Sequence, residues 1–137
     1  RLETVTEKIT FKKLLNKNRC IVPASGYYEW KKDENNKKTP QYIYKKDNTN
    51  LYFAGLYQKN ENPEFTIITR EAKSDVANIH SRMPVILNEK DILKYLNTKT
   101  DFLTIINNIE QPNLSFHPVS KDVNNPDNNR ENLIDQI

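Results

Sequence analysis

Cysteine, histidine and long apolar runs are scarce in this sequence, and each scarcity excludes something. The 137 residues contain one cysteine, Cys20, which excludes an internal disulfide and a metal site built from several cysteines. No apolar run approaches the length of a membrane span. Only two histidines are present, so proton transfer through an imidazole has few places to occur. We expect neither a metal nor a cofactor.

The composition is typical of a folded, water-soluble domain. Hydrophobic residues make up 36% of the chain and charged residues 28%, and 137 residues suffice for one domain with a buried core. The net charge of +3 permits nucleic-acid binding without requiring it, because the lysines are spread along the chain. No signal-peptide pattern opens the sequence, so we expect a cytoplasmic protein.

The most informative segment is Ile79-His80-Ser81-Arg82-Met83-Pro84-Val85-Ile86-Leu87. Pro84 disfavours the helical conformation at Met83, so a preceding helix should stop here and a buried strand should follow. The break carries a histidine, and general acids and bases often lie on loops held by rigid elements. The other interpretation is a turn in which His80 has a purely structural role.

Hydrophobic periodicity predicts a series of strands between helices. We expect an α+β fold with one mixed, largely antiparallel and barrel-like sheet flanked by helices. Ser74, Asn88 and Thr100 are the expected helix caps. The predicted segments are helices over 6–18, 72–78, 88–96 and 100–109, and strands over 19–23, 27–31, 40–44, 51–57, 65–69 and 114–119.

Two of these strands carry expectations of their own. The strand over 51–57 is apolar on both faces, which is typical of a central strand, and Gly55 within it suggests a bulge or a close backbone approach. Cys20 lies in an apolar strand and is expected to be buried and unreactive.

Glu29 lies in a strand between two aromatic residues, and it has two interpretations. Along the strand Tyr27 and Glu29 share one face, while Tyr28 and Trp30 share the other. A carboxylate at such a position is ordinarily exposed to solvent on an edge strand. Alternatively it lies in an aromatic-walled pocket, where desolvation favours the protonated form.

Several stretches, taken together and in order, resemble the SRAP domain family (SOS response-associated peptidases). The most specific are the Gly-aromatic-aromatic-Glu-Trp and Ile-His-x-Arg-Met-Pro blocks. The matching stretches are Arg1-Leu2-Glu3-Thr4-Val5, Arg19-Cys20-Ile21-Val22-Pro23-Ala24-Ser25-Gly26-Tyr27-Tyr28-Glu29-Trp30, Phe53-Ala54-Gly55-Leu56, Thr66-Ile67-Ile68-Thr69, Ile79 to Leu87, Val119-Ser120 and Val123-Asn124-Asn125-Pro126.

The resemblance implies a function. Proteins of this family bind single-stranded DNA that contains abasic sites, and their N-terminal cysteine condenses with the ring-opened sugar to a thiazolidine. By motif, Glu29 would position the terminal amine and move protons, and His80 would protonate the sugar oxygen. Arg1 and Arg82 would hold phosphates, and Thr69 would line the site. Tyr27, Tyr28 or Trp30 would stack on unpaired bases, because aromatic stacking tolerates any sequence.

One departure from the family pattern matters for the chemistry. The family begins Met-Cys-Gly-Arg, and this sequence begins at Arg1, within the family's Asn-Ala-Arg-x-Glu-Thr segment. We therefore expect residues 1–137 to form a single SRAP-like domain that is truncated at its N-terminus. Cys20 does not replace the nucleophile, because it falls in the family's apolar strand. Whether these residues alone act as an enzyme stays open at this point.

Two other functions remain open from the sequence. One is a cysteine peptidase, which the family's name suggests and which would need a cysteine beside His80. The other is a module that binds single-stranded DNA without chemistry. In each DNA-binding case we expect a monomer whose partner is single-stranded DNA, with no membrane partner, associated with the nucleoid when bound.

Overall fold

The computed structural model describes all residues from 1 to 137 and has an α+β architecture. Three α-helices and nine strands alternate with four short 3-10 helices. The helices are α1 (Ile9–Lys12), α2 (Glu89–Leu96) and α3 (Phe102–Asn107). The strands are β1 (Arg19–Ala24), β2 (Gly26–Lys32), β3 (Lys38–Lys45), β4 (Leu51–Gln58), β5 (Glu64–Ile67), β6 (Thr69–Glu71), β7 (Arg82–Pro84), β8 (Ile86–Leu87) and β9 (Leu114–Pro118). No helix combines the length and apolar character needed to cross a bilayer.

Strand β4 is the centre of the largest sheet, as its two apolar faces predicted. It pairs with β1 along one edge, and with β8 and then β5 along the other. Gly55 confirms the expected close approach, because an added Cβ would lie 2.9 Å from the Cys20 sulfur. The Gly55 carbonyl also accepts a 2.7 Å hydrogen bond from the Tyr95 hydroxyl, which fastens α2 to the sheet.

The remaining strands form two further antiparallel sheets. Strands β2, β3 and β9 make a three-stranded sheet, and β6 and β7 make a hairpin. Every pairing is antiparallel and no sheet closes into a barrel. The α+β prediction is confirmed, while a mixed, barrel-like sheet is not what forms.

Buried residues between the sheets attach the β6–β7 hairpin to the central strand. Ala54 donates its N–H to Val85 O, Val85 donates to Ile68 O, and Ile68 donates to Ala54 O, at 2.8 to 2.9 Å. All three residues are almost fully buried. The predicted strand over 65–69 is therefore two strands, because the chain changes its partner from β4 to β7 at Ile68.

The first predicted helix is much shorter than its apolar face suggested. Beyond α1 the backbone continues in turns to Lys17. The N–H groups of Leu14 and Lys17 bond to the carbonyl three residues earlier, and those of Leu15 and Asn18 bond to the carbonyl four residues earlier. The apolar face itself is confirmed, since Leu15 is buried and Phe11 and Leu14 pack against the core. Tertiary contacts fix this segment more than helix propensity does.

The predicted caps also differ from the observed ones. Ser74 begins a 3-10 helix at φ 55° instead of capping it, and Lys73 occupies the N-cap position. Asn88 precedes α2 as expected, but its side-chain amide donates to Glu110 O, so no capping box forms. Asp101, not Thr100, caps α3 by accepting the N–H of Thr104.

Candidate active site

The histidine of the informative segment is presented on a tightly held turn. The 3-10 helix Ser74–Asn78 ends at Ile79, and the N–H groups of Ile79 and His80 both bond back to Val76 O. Val76 and Ile79 are buried, so they anchor the turn in the core while the imidazole stays exposed. Strand β7 begins two residues later at Arg82. The predicted break in regular structure is therefore present.

Glu29 and His80 lie side by side although 51 residues separate them in sequence. The Glu29 Oε2 and His80 Nδ1 atoms are 3.8 Å apart, which is too long for a hydrogen bond but within the range of an ion pair when the imidazole is protonated. Their side chains are 25% and 45% exposed, so both remain accessible to a ligand. Glu29 Oε1 accepts the backbone N–H of Trp30, which helps to hold the carboxylate in place. The pairing inferred from sequence is thus present in the fold.

The backbone of Arg82 restricts which nitrogen of His80 carries a proton. Arg82 donates its N–H to His80 Nδ1 at 3.1 Å, while the Arg82 carbonyl lies 3.3 Å from the same nitrogen. When Nδ1 accepts this N–H, a neutral imidazole carries its proton on Nε2, which can then donate to a ligand.

The side chain of Arg82 is clamped between two other elements. Its Nη1 donates to Glu3 Oε1 at 2.8 Å, and its Nη2 donates to Thr69 Oγ1 at 3.1 Å. Glu3 Oε1 also accepts the N–H of Glu71 at 3.0 Å. The hydrogen bond from Arg82 lowers the pKa of the Glu3 carboxyl to about 2, and the bond from Glu71 acts in the same direction.

Tyr27 brings an unpaired hydroxyl to the face that carries Glu29. Its oxygen is buried and has no hydrogen-bond partner within the protein, and its ring packs edge-on against Phe53 at 5.8 Å. Burial raises the pKa of the Tyr27 hydroxyl, and the charge of Glu29 raises it further. Buried polar groups are normally paired, so the unpaired Tyr27 hydroxyl is an exception in this part of the fold.

The site residues predicted from sequence are not all brought together. Glu29, His80, Arg82 and Thr69 form one connected group. Arg1 is exposed next to Glu3 and is not seen in an ion pair. Trp30 alternates to the opposite face of β2 from Glu29, and its indole N–H donates to Asn124 Oδ1 at 2.8 Å. A role for Trp30 in DNA binding stays a prediction.

Sequence reasoning gave Glu3 no role in this group, and it considered Tyr27 only as an aromatic residue for stacking on bases. Glu3 lies 79 residues before Arg82, and nothing local to either residue indicates the ion pair. Tyr27 was placed on the same strand face as Glu29 from alternation, which was the available signal. Its missing hydrogen-bond partner depends on packing against Phe53 and is invisible in the sequence.

Cys20 is half-buried, so the expectation of full burial was wrong in degree. It lies in β1 opposite Gly55, with Tyr95 close by. Burial raises the pKa of its thiol, which lowers the fraction of reactive thiolate at neutral pH. The unreactive thiol that the sequence predicted stays a prediction with this physical support.

An antiparallel α+β fold that sets a carboxylate beside an imidazole, with a clamped arginine next to them, defines a site suited to proton transfer near an anion. The chain belongs to the SRAP family, because residues 1–126 match the family described as SOS response associated peptidase.

Relatives of known sequence or structure align over almost the whole chain. It is 40% identical to the abasic site processing protein YoqW of Bacillus subtilis (strain 168), covering 98% of this chain and 65% of that protein. It is 37% identical to the abasic site processing protein HMCES of Xenopus tropicalis, covering 94% of this chain and 47% of that protein. A crystal structure of a Bacteroides thetaiotaomicron protein superposes with a TM-score of 0.87 at 28% identity, covering 98% of this chain and 63% of that one. The chain therefore spans less than two thirds of each of these proteins.

Proposed function

We propose that this chain carries the proton-transfer and phosphate-contacting residues of a protein that processes abasic sites in single-stranded DNA. The observation that carries the proposal is the 3.8 Å approach of Glu29 and His80 beside the clamped Arg82. Membership of the SRAP family and relatives named abasic site processing proteins support it. In this proposal residues 1–137 act as one domain, and the nucleophilic cysteine is supplied by a Met-Cys-Gly-Arg start that these residues do not contain.

The proposed chemistry needs two proton-transfer groups. An abasic sugar must open to its aldehyde before an amine condenses with it, and the condensation releases water. His80 would deliver a proton to the sugar oxygen, and Glu29 would take a proton from the attacking amine. The Cys thiol would then add to the imine carbon and close the thiazolidine. Neither Glu29 nor His80 forms the lasting bond, so both act only on protons.

Arginine side chains would contact the phosphates that flank the lesion. Arg82 presents a guanidinium whose planar fork suits phosphate oxygens, and Glu3 holds this guanidinium in place. Arg1 is exposed and lies two residues before Glu3. Thr69 keeps Arg82 in place and would line the same site. Because few arginines take part, we expect weak, salt-sensitive affinity of residues 1–137 for single-stranded DNA.

A denaturing gel with an oligonucleotide that holds one abasic site tests the proposal. We expect residues 1–137 alone to give no covalent band, and a form extended upstream to a Met-Cys-Gly-Arg start to give a heat-stable shifted band. In the extended form His80→Ala should slow band formation by about 100-fold, the usual size of general acid–base catalysis. Cys20→Ser is the matched control and should leave the rate nearly unchanged.

A covalent band from residues 1–137 alone would contradict this assignment. So would loss of the band on Cys20→Ser in the extended form, because both results would make Cys20 the nucleophile. A peptidase remains the second function to test, and it requires a reactive cysteine. Proteolysis that survives alkylation of Cys20 would dispose of a peptidase built on that residue. Binding of single-stranded DNA without any band in the extended form would leave a non-catalytic module.

A further inference from the structure

Glu3 has a fixed position that is unusual for an exposed carboxylate. One oxygen, Oε1, accepts both from Arg82 Nη1 at 2.8 Å and from the backbone N–H of Glu71 at 3.0 Å. The Glu71 N–H belongs to β6, which pairs with β7, and Glu71 lies opposite Arg82 in the register. The carboxylate is therefore tied to both strands of the hairpin that carries Arg82.

The donors of Arg82 are only partly used by the protein. A guanidinium offers five N–H donors, of which Glu3 and Thr69 each take one. The Nε donor is buried and unpaired. The remaining donors, on Nη1 and Nη2, stay free for another acceptor, and the Arg82 side chain keeps 23% of its surface exposed. Glu3 thus fixes the guanidinium without consuming its capacity to bind an anion.

We infer that Glu3 is a positioning residue, which holds the guanidinium of Arg82 in the orientation that receives a DNA phosphate. This inference rests on the proposed function. A free arginine side chain loses rotamer entropy when it is immobilised, so prior immobilisation removes part of that cost from binding.

A simple electrostatic view of Glu3 predicts the opposite sign. A carboxylate beside a phosphate site repels the ligand, and its removal should then strengthen binding, particularly at low salt. Positioning predicts that removal weakens binding, because Arg82 becomes free to rotate. The direction of the change in affinity therefore separates the two roles of the same residue.

Fluorescence anisotropy with a labelled single-stranded oligonucleotide measures that direction. We expect Glu3→Ala to weaken binding by about tenfold, the loss of one charge-assisted contact, and to lower the salt slope by about 0.7. Arg82→Ala should weaken binding to the same extent. The double variant should bind DNA no more weakly than either single variant, because the two residues act as one unit. Glu3→Gln keeps an acceptor oxygen and should fall between Glu3→Ala and the unmodified chain.

Glu7→Gln is the matched control for charge. Glu7 is exposed, lies close in sequence and takes part in no ion pair. Its neutralisation should leave binding unchanged or slightly stronger. If Glu3→Ala binds as tightly as the Glu7→Gln variant, the positioning role is overturned. Thermal unfolding of each variant confirms that the fold is kept.

A measurement without DNA separates this inference from the proposed function. NMR of the Arg82 guanidinium should show slowed exchange and restricted rotation in the unmodified chain, and loss of both in Glu3→Ala. Unchanged Arg82 signals in Glu3→Ala would refute the positioning role whatever the DNA result. If the unmodified chain fails to bind single-stranded DNA, the proposed function fails, and the claim about phosphate orientation fails with it. The NMR result still decides whether Glu3 holds Arg82.

Discussion

At the scale of single residues, the site depends on local hydrogen bonds that fix the orientation of chemical groups. His80 receives the N–H of Arg82 on Nδ1, and Glu29 receives the N–H of Trp30 on Oε1. Each contact involves a neighbour in sequence, so the orientation is set as soon as the local backbone forms. The long-range approach of the two side chains then depends only on how β2 and the His80 turn are packed.

The depressed pKa of Glu3 predicts how stability changes in acid. A carboxyl whose pKa falls from the ordinary 4.5 to about 2 in the folded state contributes stability above the unfolded pKa. That contribution disappears as the pH falls from about 5 to 2, because both states then bind the proton. The difference in unfolding free energy between the unmodified chain and Glu3→Gln should therefore be largest at neutral pH.

Urea unfolding at several pH values between 7 and about 2.5 measures this dependence. Glu7→Gln serves again as the control, since Glu7 forms no ion pair. A difference between Glu3→Gln and the unmodified chain that stays constant down to the lowest pH would show that Arg82 does not hold the Glu3 carboxylate in solution.

At the scale of elements, most strands followed from the sequence, whereas the division of one strand and the helix caps did not. Alternation or continuous apolar runs marked β1, β2, β3, β4 and β9 to within two residues at each end. The division at Ile68 was invisible, because both halves have β propensity and only the change of hydrogen-bond partner separates them. The cap at Asp101 was missed for a similar reason, since Thr100 and Asp101 are both good capping residues.

Buried Arg19 joins several elements that were predicted from the sequence one by one. It is 5% exposed at the start of β1, and it stacks near the rings of Tyr95 and Phe102. Its side chain donates to acceptors in the turns after α1, at the end of α2 and before α3; these acceptors are Leu15 O, Asn16 Oδ1, Tyr95 O, Asn97 O and Thr100 O. The charge is thus satisfied by carbonyl groups without a partner carboxylate.

Arg19→Lys should destabilise the protein by about 3 kcal/mol, because lysine cannot reach this many acceptors and leaves buried carbonyls unpaired. Urea unfolding followed by circular dichroism measures the change. Arg130→Lys is the matched control: the Arg130–Asp122 ion pair is 55% exposed on both sides, so its change should stay within about 0.5 kcal/mol. Equal effects of the two substitutions would contradict a structural role for the Arg19 hydrogen bonds.

At the scale of the whole molecule, the candidate site lies where separate sheets meet. Glu29 comes from the β2–β3–β9 sheet, while Thr69 and Arg82 come from the β6–β7 hairpin. Glu3 comes from the 3-10 helix Leu2–Thr4. The sequence identified most of these residues through family motifs, yet it gave no way to see how the sheets pack, because such contacts join residues distant along the chain.

Strand β4 also unites the two hydrophobic clusters of the protein. Ala54 and Leu56 pack into a cluster of 12 buried residues, and Leu51 and Phe53 pack into a second cluster of 7. Successive strand residues point to opposite faces, so one strand contributes to both cores. Trp30, the only tryptophan, lies in β2 and pairs with Pro40 of β3, whose Ile43 belongs to the second cluster.

This arrangement predicts a single cooperative unfolding transition, in which a substitution that destabilises one cluster also destabilises the other. Leu56→Ala empties space in the first cluster and should cost about 3 kcal/mol. Because β4 is shared, the Trp30 fluorescence transition should shift by the same amount as the circular dichroism transition. Leu93→Ala removes the same atoms from an 80% exposed position on α2 and should shift neither. Two separated transitions in Leu56→Ala would mean that the clusters unfold independently, and the site between the sheets would then be free to open without loss of the larger core.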